Sequence, residues 1–402
     1  MKTNRIPSSL KADIAQKTLF SILFAISFTH LLNDLLQAVI PAVYPILKQN
    51  YHLSFTQIGF ITFSFQFTAS ILQPVVGFYT DKYPKPFSQI FGMLFSMLGI
   101  LLLSIAHNYY IILIAVALIG IGSSVFHPEA SRISYIAAGA KRGLAQSIFQ
   151  VGGNLGTAIG PLLVALIVAP RSQYYIIYFT IFAFIALAVL THIALWYKKQ
   201  VQNRVLSKSQ VNKYHTLTKP QVNRTIALLL FIIFSKYFYS AGLSSYYTFY
   251  LIDKFNLTIQ QTQFHLFLYL FAYALGTLLG GSLGDTLGRR VIIWISVLGA
   301  APFALLLPYV NLFYTDVLMV IIGLIISSAF PAILVYAQEL LPKKIGMVSG
   351  LFYGFAFGMA GIGSAVLGSL ADQTSIIYIY KICSFLPLLG VFCYFLPALK
   401  KQ

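Results

Sequence analysis

The chain has 402 residues, 58% of them hydrophobic and only 9% charged, with a formal net charge of +18. A soluble domain carries about 25% charged residues, and apolar stretches here repeatedly reach about 20 residues, the length an α-helix needs to cross a bilayer. These figures exclude an ordinary soluble protein, and the placement of the basic residues, given below, argues against nucleic-acid binding.

Twelve helices are predicted, at 18–46, 54–80, 87–106, 109–133, 143–170, 173–197, 225–252, 259–284, 290–309, 312–338, 346–370 and 374–398. Basic residues precede the first apolar run as in a signal peptide. That run, Leu19 to Leu47, is too long for one and lacks a small-residue cleavage site, so it is expected to be retained. It carries His30 and Asp34 near mid-span, four residues apart and therefore on one face. The second helix ends in "GFYTDKYPKPF", with Gly77 and Asp81.

The fourth helix closes on "SSVFHPEASR", which sets His127, Pro128, Glu129 and Arg132 in a greasy run. Ionisable side chains at such depth are costly unless paired or hydrated. Pro128 is expected to bend the helix so that His127 and Glu129 meet an aqueous vestibule. Glu129 and Arg132, three apart, can pair. In the fifth helix, "GGNLGTAIGPLL" spaces Gly152, Gly156 and Gly160 four apart, a groove that lets another backbone approach, with Pro161 permitting a bend. The same helix carries the polar stripe Gln146, Gln150 and Asn154.

Residues 198–224 form the one long polar segment, with seven basic and no acidic side chains. It divides the sequence into an N-terminal six-helix bundle (1–197) and a C-terminal one (225–402). The seventh helix then offers Lys236, and the eighth His265, Tyr269 and Tyr273. Stripes of this kind on several helices predict a shared wet cavity, since the polar groups would otherwise face lipid. After the eighth helix comes "GSLGDTLGRRVI", with Gly281, Asp285, Gly288, Arg289 and Arg290. Cys383 and Cys393 lie ten apart on the last helix, too far to bridge. There is no HExxH and no cysteine–histidine spacing, so no metal, no cofactor and no enzyme chemistry are expected.

Twenty-two of the 27 lysines and arginines fall in even-numbered loops and the termini, against three in odd-numbered loops and two within helices. This positive-inside pattern predicts that both termini are cytoplasmic. The halves also resemble each other at an offset of 203–204. "GFYTD" (77–81) aligns with "GSLGD" (281–285), Pro128 with Pro331, Gly143 with Gly346 and Gly160 with Gly363. Six-helix repeats of this kind build transporters whose site lies between the halves.

Twelve helices in two halves, a basic central loop and paired glycine–aspartate loops resemble the major facilitator superfamily over essentially the whole chain. "THLLNDLLQAVIPAVYP" in the first helix with "SSVFHPEASR" in the fourth is similar to that superfamily's fosmidomycin-resistance branch of bacterial efflux proteins. The loop motif is nearly complete in the second copy. In the first, Pro84 and Lys85 replace a glycine and an arginine.

The resemblance implies a bacterial inner-membrane, proton-coupled exporter of small molecules, working as a monomer by alternating access. It further implies that Asp81 pairs with Arg132 and latches the inner face shut in the outward-facing state. The fifth helix resembles the antiporter motif at Gly156, Gly160 and Pro161, with Val164 and Ala165 where glycines are usual. The arginine that many drug antiporters carry in the fourth helix is Val116 here. Proton coupling then falls to Asp34 first and Glu129 second, with His30 or His127 as relay. Gln146, Gln150, Asn154, Lys236, His265 and Tyr269 are the expected substrate lining. A proton-driven importer of an anionic metabolite is the competing expectation, and a non-transporting sensor or scaffold a third.

Overall fold

Every long apolar run becomes a helix, because only a helix satisfies its own backbone in lipid without a closed barrel. The computed structural model describes residues 18–53, 55–168, 170–206, 218–257 and 259–397, and no strand occurs among them. The first six spans are α1 (Phe20–Ala42, prolonged by Tyr44–Tyr51), α2 (Phe55–Lys82), α3 (Ser88–Ile105), α4 (Tyr109–Ala137), α5 (Arg142–Ile167) and α6 (Thr180–Leu206). The second six are α7 (Lys219–Phe255), α8 (Ile259–Leu287), α9 (Arg289–Leu298), α10 (Leu312–Ser327, continued by Ala329–Leu340), α11 (Ile345–Gln373) and α12 (Ile376–Cys383, continued by Leu386–Phe395). Among the described residues, twelve helices are long and apolar enough to span a membrane. The internal repeat is written into their caps: Asn108 and Asn311, 203 apart, each accept from a backbone N–H to start α4 and α10.

Several predicted bounds differ from the structure. The basic stretch is helical at both flanks, with α6 running to Leu206 and α7 starting at Lys219. A capping box made by Thr218 and Gln221, with a proline in the first turn, starts α7 early. Its middle, 207–217, lies outside the described residues. The tenth span is broken at Ser328. Pro331 cannot bond the carbonyl four residues back, at Ser327, and its ring crowds that carbonyl. The last span breaks likewise just before Pro387. α4, in contrast, continues unbroken through Pro128.

Packing at the molecule's centre is set by glycine. The α5 groove receives α1: Gly152 abuts the Ser27 carbonyl and Gly156 the Leu31 carbonyl, so a Cβ at either would collide with backbone. The two halves meet along two antiparallel seams, α2 with α11 and α5 with α8. On the first seam Gly77 lies against Gly346, Gly350 against Gln73 and Gly354 against Ser70. Farther along α11 the helices separate, and a Cβ on Gly358 would meet nothing within 4 Å. The seam is therefore backbone-tight at the Lys/Arg-rich end and looser beyond Gly354, where Gly358 faces open space and Gly361 meets only the Gln66 side chain. Outward faces carry exposed Phe63, Phe67, Ile71 and Val75, as a lipid-facing wall requires, while Cys383 and Cys393 are buried.

Candidate functional site

α1 and α4 bring His30, Asp34 and His127 together at the heart of the first half. His30 Nδ1 lies 2.7 Å from the Phe149 carbonyl, and His127 Nδ1 lies 3.0 Å from the Ser123 carbonyl. A carbonyl can only accept, so each Nδ1 carries a hydrogen, and in the neutral ring each Nε2 presents a lone pair. The two Nε2 atoms face each other at 3.3 Å. Asp34 completes the group, its Oδ2 3.2 Å from His30 Nε2 and its Oδ1 3.6 Å from His127 Nε2. With both rings neutral and Asp34 ionised, three acceptors converge with no donor between them.

The surroundings hold this arrangement rigidly. Asn33 and Gln37 donate to Asp34 Oδ1 at 3.0 and 3.1 Å, and Ser123 donates to Gln37 Oε1. His30 stacks on Phe149 with ring centres 4.1 Å apart. Gly153 closes one side, and a Cβ there would sit 2.6 Å from Asp34 Oδ2. Both imidazoles are buried, whereas the Asp34 side chain keeps 14% of its surface exposed.

The expectation of an aqueous vestibule around His127 and Glu129 is corrected here, since both are fully buried. His127 turns to His30 and Asp34, while Glu129 has an ion-pair contact with Arg132 at 3.4 Å and no hydrogen bond among the described residues. The expected substrate residues are spoken for as well. Gln146 donates to the Tyr353 hydroxyl at 2.8 Å, which donates to Gln150 at 2.8 Å, and Asn154 donates to Thr277 at 3.0 Å. All three contacts join the halves; Gln146 and Gln150 are buried, whereas Asn154 is half-buried. Tyr353 in turn lies against His127 and Phe330, at ring distances of 5.3 and 4.9 Å.

Lys236 stands apart. Its buried ammonium meets the rings of Tyr237, Phe330 and Tyr273 at 5.2, 5.5 and 6.0 Å, and among the described residues it has no hydrogen-bond acceptor. His265 pairs at 2.7 Å with Asp316, a residue not anticipated from sequence, which also accepts from Tyr247. Tyr269 is buried within hydroxyl reach of Ser240.

At the basic end the two loop motifs do parallel work. Asp81 pairs with Arg132 at 2.6 Å and also caps the other half's α11, accepting from the N–H groups of Gly346 (2.9 Å) and Met347 (2.7 Å). Asp285 pairs with Arg289 at 2.8 Å and caps α5, accepting from Gly143 and Leu144 at 2.9 Å each. Each carboxylate therefore meets a helix N-terminus of the other half and a guanidinium of its own half. Glu339, also unforeseen, ties Arg289 at 3.0 Å to Arg142 at 3.7 Å. Gly288 makes the turn before α9 with φ of 95°. Pro161 and Gly281 lie in helical backbone, and their surroundings fall outside the described residues. A cavity of about 290 Å³ adjoins the first latch, lined by Asp81, Arg132, Tyr197, Gln200 and Lys343.

The sequence profile described as Major Facilitator Superfamily matches residues 26–251 and 229–402. The chain belongs to that superfamily. Among its relatives, it is 55% identical to the fosmidomycin resistance protein of Escherichia coli K12, over 95% of this chain and 94% of that one. It is 43% identical to an uncharacterised MFS-type transporter, YfnC, of Bacillus subtilis, over 98% of each. Solved superfamily structures share the fold: the transporter FucP in its outward conformation (TM-score 0.73, 17% identity, 94% of this chain and 98% of that one) and the human organic anion transporter MFSD10 (0.75, 15%, 94% and 100%).

Within this Major Facilitator Superfamily scaffold, the triad can take up a cation and the latches can hold one end of the molecule shut. The sequence pairs His30 with Asp34 through their spacing, but His127 joins only when α4 packs on α1, 97 residues away. Gly153 goes unremarked in sequence because it sits off the four-residue groove that draws attention to Gly152 and Gly156.

Proposed function

We propose that this protein is a proton-coupled exporter of small molecules in the bacterial inner membrane, with both termini cytoplasmic, working as a monomer by alternating access. The carrying observation is the triad of facing acceptors, His30 Nε2, His127 Nε2 and the Asp34 carboxylate, at 3.2–3.6 Å. Lone pairs this close repel unless a proton lies between them, so the site binds protons, with Asp34 the group still open to solvent. Discharge frees the lone pairs to repel, which strains the packing of α4 against Tyr353 and so reaches the other half. Asp81 and Asp285 release α11 and α5 when the basic, cytoplasmic end opens. Glu129 serves as the counter-charge of Arg132.

The direction of transport is supported by the name of the 55% identical relative, a resistance protein. The test is a drug-susceptibility panel, including fosmidomycin, in an efflux-deficient bacterium expressing wild type or Asp34→Asn. Resistance from wild type alone is expected; equal resistance from both removes Asp34 from the mechanism. Inward transport of an anion is the second reading. It is favoured by one observation, the Lys236 amino group in its aromatic box, with no hydrogen-bond acceptor among the described residues. Uptake of an anionic metabolite without any resistance would select it.

A further inference from the structure

We infer that the triad is also a binding site for a borderline divalent metal ion of the Zn²⁺ class, with His30 Nε2, His127 Nε2 and one Asp34 oxygen as its ligands. Two neutral imidazoles and a carboxylate are the donor set such ions take. The three ligand-type atoms lie within 4.8 Å of one another. Tetrahedral zinc with bonds of about 2.0–2.1 Å has ligand–ligand edges of roughly 3.3–3.4 Å. Here the two Nε2 atoms are 3.3 Å apart, and the Asp34 carboxylate lies 3.2 Å from His30 Nε2 through Oδ2 and 3.6 Å from His127 Nε2 through Oδ1, so a small rotation of the carboxylate brings one oxygen to both edges. No ligand needs to move farther than a side chain can adjust.

A second observation, independent of those distances, is the outer shell. Metal-bound histidine characteristically donates its other ring N–H to a carbonyl or carboxylate, which fixes the tautomer and aims the lone pair. Both histidines do so, to the carbonyls of Phe149 and Ser123. The carboxylate is fixed in the same manner by Asn33 and Gln37. Three protein ligands leave a fourth position for water or an anion. Gly153 keeps the space clear on its side, since a methyl group there would press on His30 and Asp34. Protons compete for the same lone pairs, so metal affinity falls with falling pH.

The inference uses the same side chains as the proton reading but needs no transport. It is tested on detergent-purified full-length protein, freed of any affinity tag, without a gradient. Failure of metal binding therefore leaves proton coupling standing, and the converse holds too. Titration calorimetry with Zn²⁺ should give one strong site per chain. Co²⁺ should show the intense visible absorption of tetrahedral coordination, displaced by Zn²⁺. His30→Gln, His127→Gln and Asp34→Asn should each weaken Zn²⁺ binding at least tenfold, whereas exposed His52→Gln should not. Gly153→Ala keeps every ligand yet should weaken binding as well, and the metal-free melting temperature of each variant, read beside the wild type, separates lost ligation from failure to fold. Equal Zn²⁺ binding by wild type and the His127→Gln and Gly153→Ala variants, or octahedral Co²⁺ only, would overturn the assignment.

Discussion

Asp81 and Gly346 belong to opposite halves of the molecule, and the Asp81 carboxylate accepts the Gly346 N–H at 2.9 Å while holding Arg132 at 2.6 Å. One side chain thus joins α2, α4 and the first turn of α11. Hydrogen bonds to a charged partner contribute roughly 1.5–3 kcal/mol each. Asp81→Ala and Arg132→Ala should each slow transport about tenfold or more, and the double variant should be little worse than either single one. Transport rates in reconstituted vesicles check this, and additive losses would refute the shared role. Asp285→Ala should show a defect of similar size, because Asp285 repeats the geometry on α5.

Asp34→Asn replaces one of three facing acceptors by an amide that can itself donate. The variant should therefore retain its fold and substrate binding but release or take up no proton on transport. Proton flux measured with a pH-sensitive dye in vesicles, beside equilibrium binding of a transported drug, separates the two. Undiminished proton flux would exclude Asp34 as carrier.

Gly156 faces the Leu31 carbonyl, whereas Gly358 faces open space. Gly156→Ala should cost about 1–3 kcal/mol by forcing α1 off α5. Gly358→Ala should be neutral or slightly stabilising. Thermal unfolding of both proteins in one detergent reads the contrast, and equal melting temperatures would contradict the seating of α1.

The Lys236 amino group is buried without an acceptor among the described residues, which costs about 1–3 kcal/mol for a neutral unsatisfied donor and more for a charged one. Lys236→Met fills similar space without that cost. It should raise the melting temperature while weakening transport of anionic compounds and sparing neutral ones. A uniform loss across both substrate classes would show a structural role for Lys236 instead.

The spans were readable from sequence because each needs only length and apolarity, and the halves because Gly143, Gly346, Asp81 and Asp285 repeat at a fixed offset. Breaks within spans were less so. Pro331 interrupts α10 but Pro128 leaves α4 continuous, and composition alone does not distinguish the two. At the site, Asp34 and His30 announce themselves by spacing on one helix. Tyr353, Asp316, Glu339 and Gly153 do not, since each matters through what the neighbouring helix turns toward it. Polar stripes such as Gln146 and Gln150 suggested water, and the structure pairs them across the interface with Tyr353. Amphipathic spacing says which side of a helix is polar, not whether a partner or solvent meets it.

The seam between α2 and α11 is shaped like a wedge, backbone against backbone at Gly77 and Gly346 and parted by Gly358. Surfaces so bare of side chains carry no interlocking teeth, and they can slide or roll past each other smoothly. Directional polar bonds at the thin edge then act beside the ring contacts of Tyr353 and Phe357 with His127 in holding the halves together. A transporter built this way can be tuned for speed by one or two carboxylates without redesigning its hydrophobic interior.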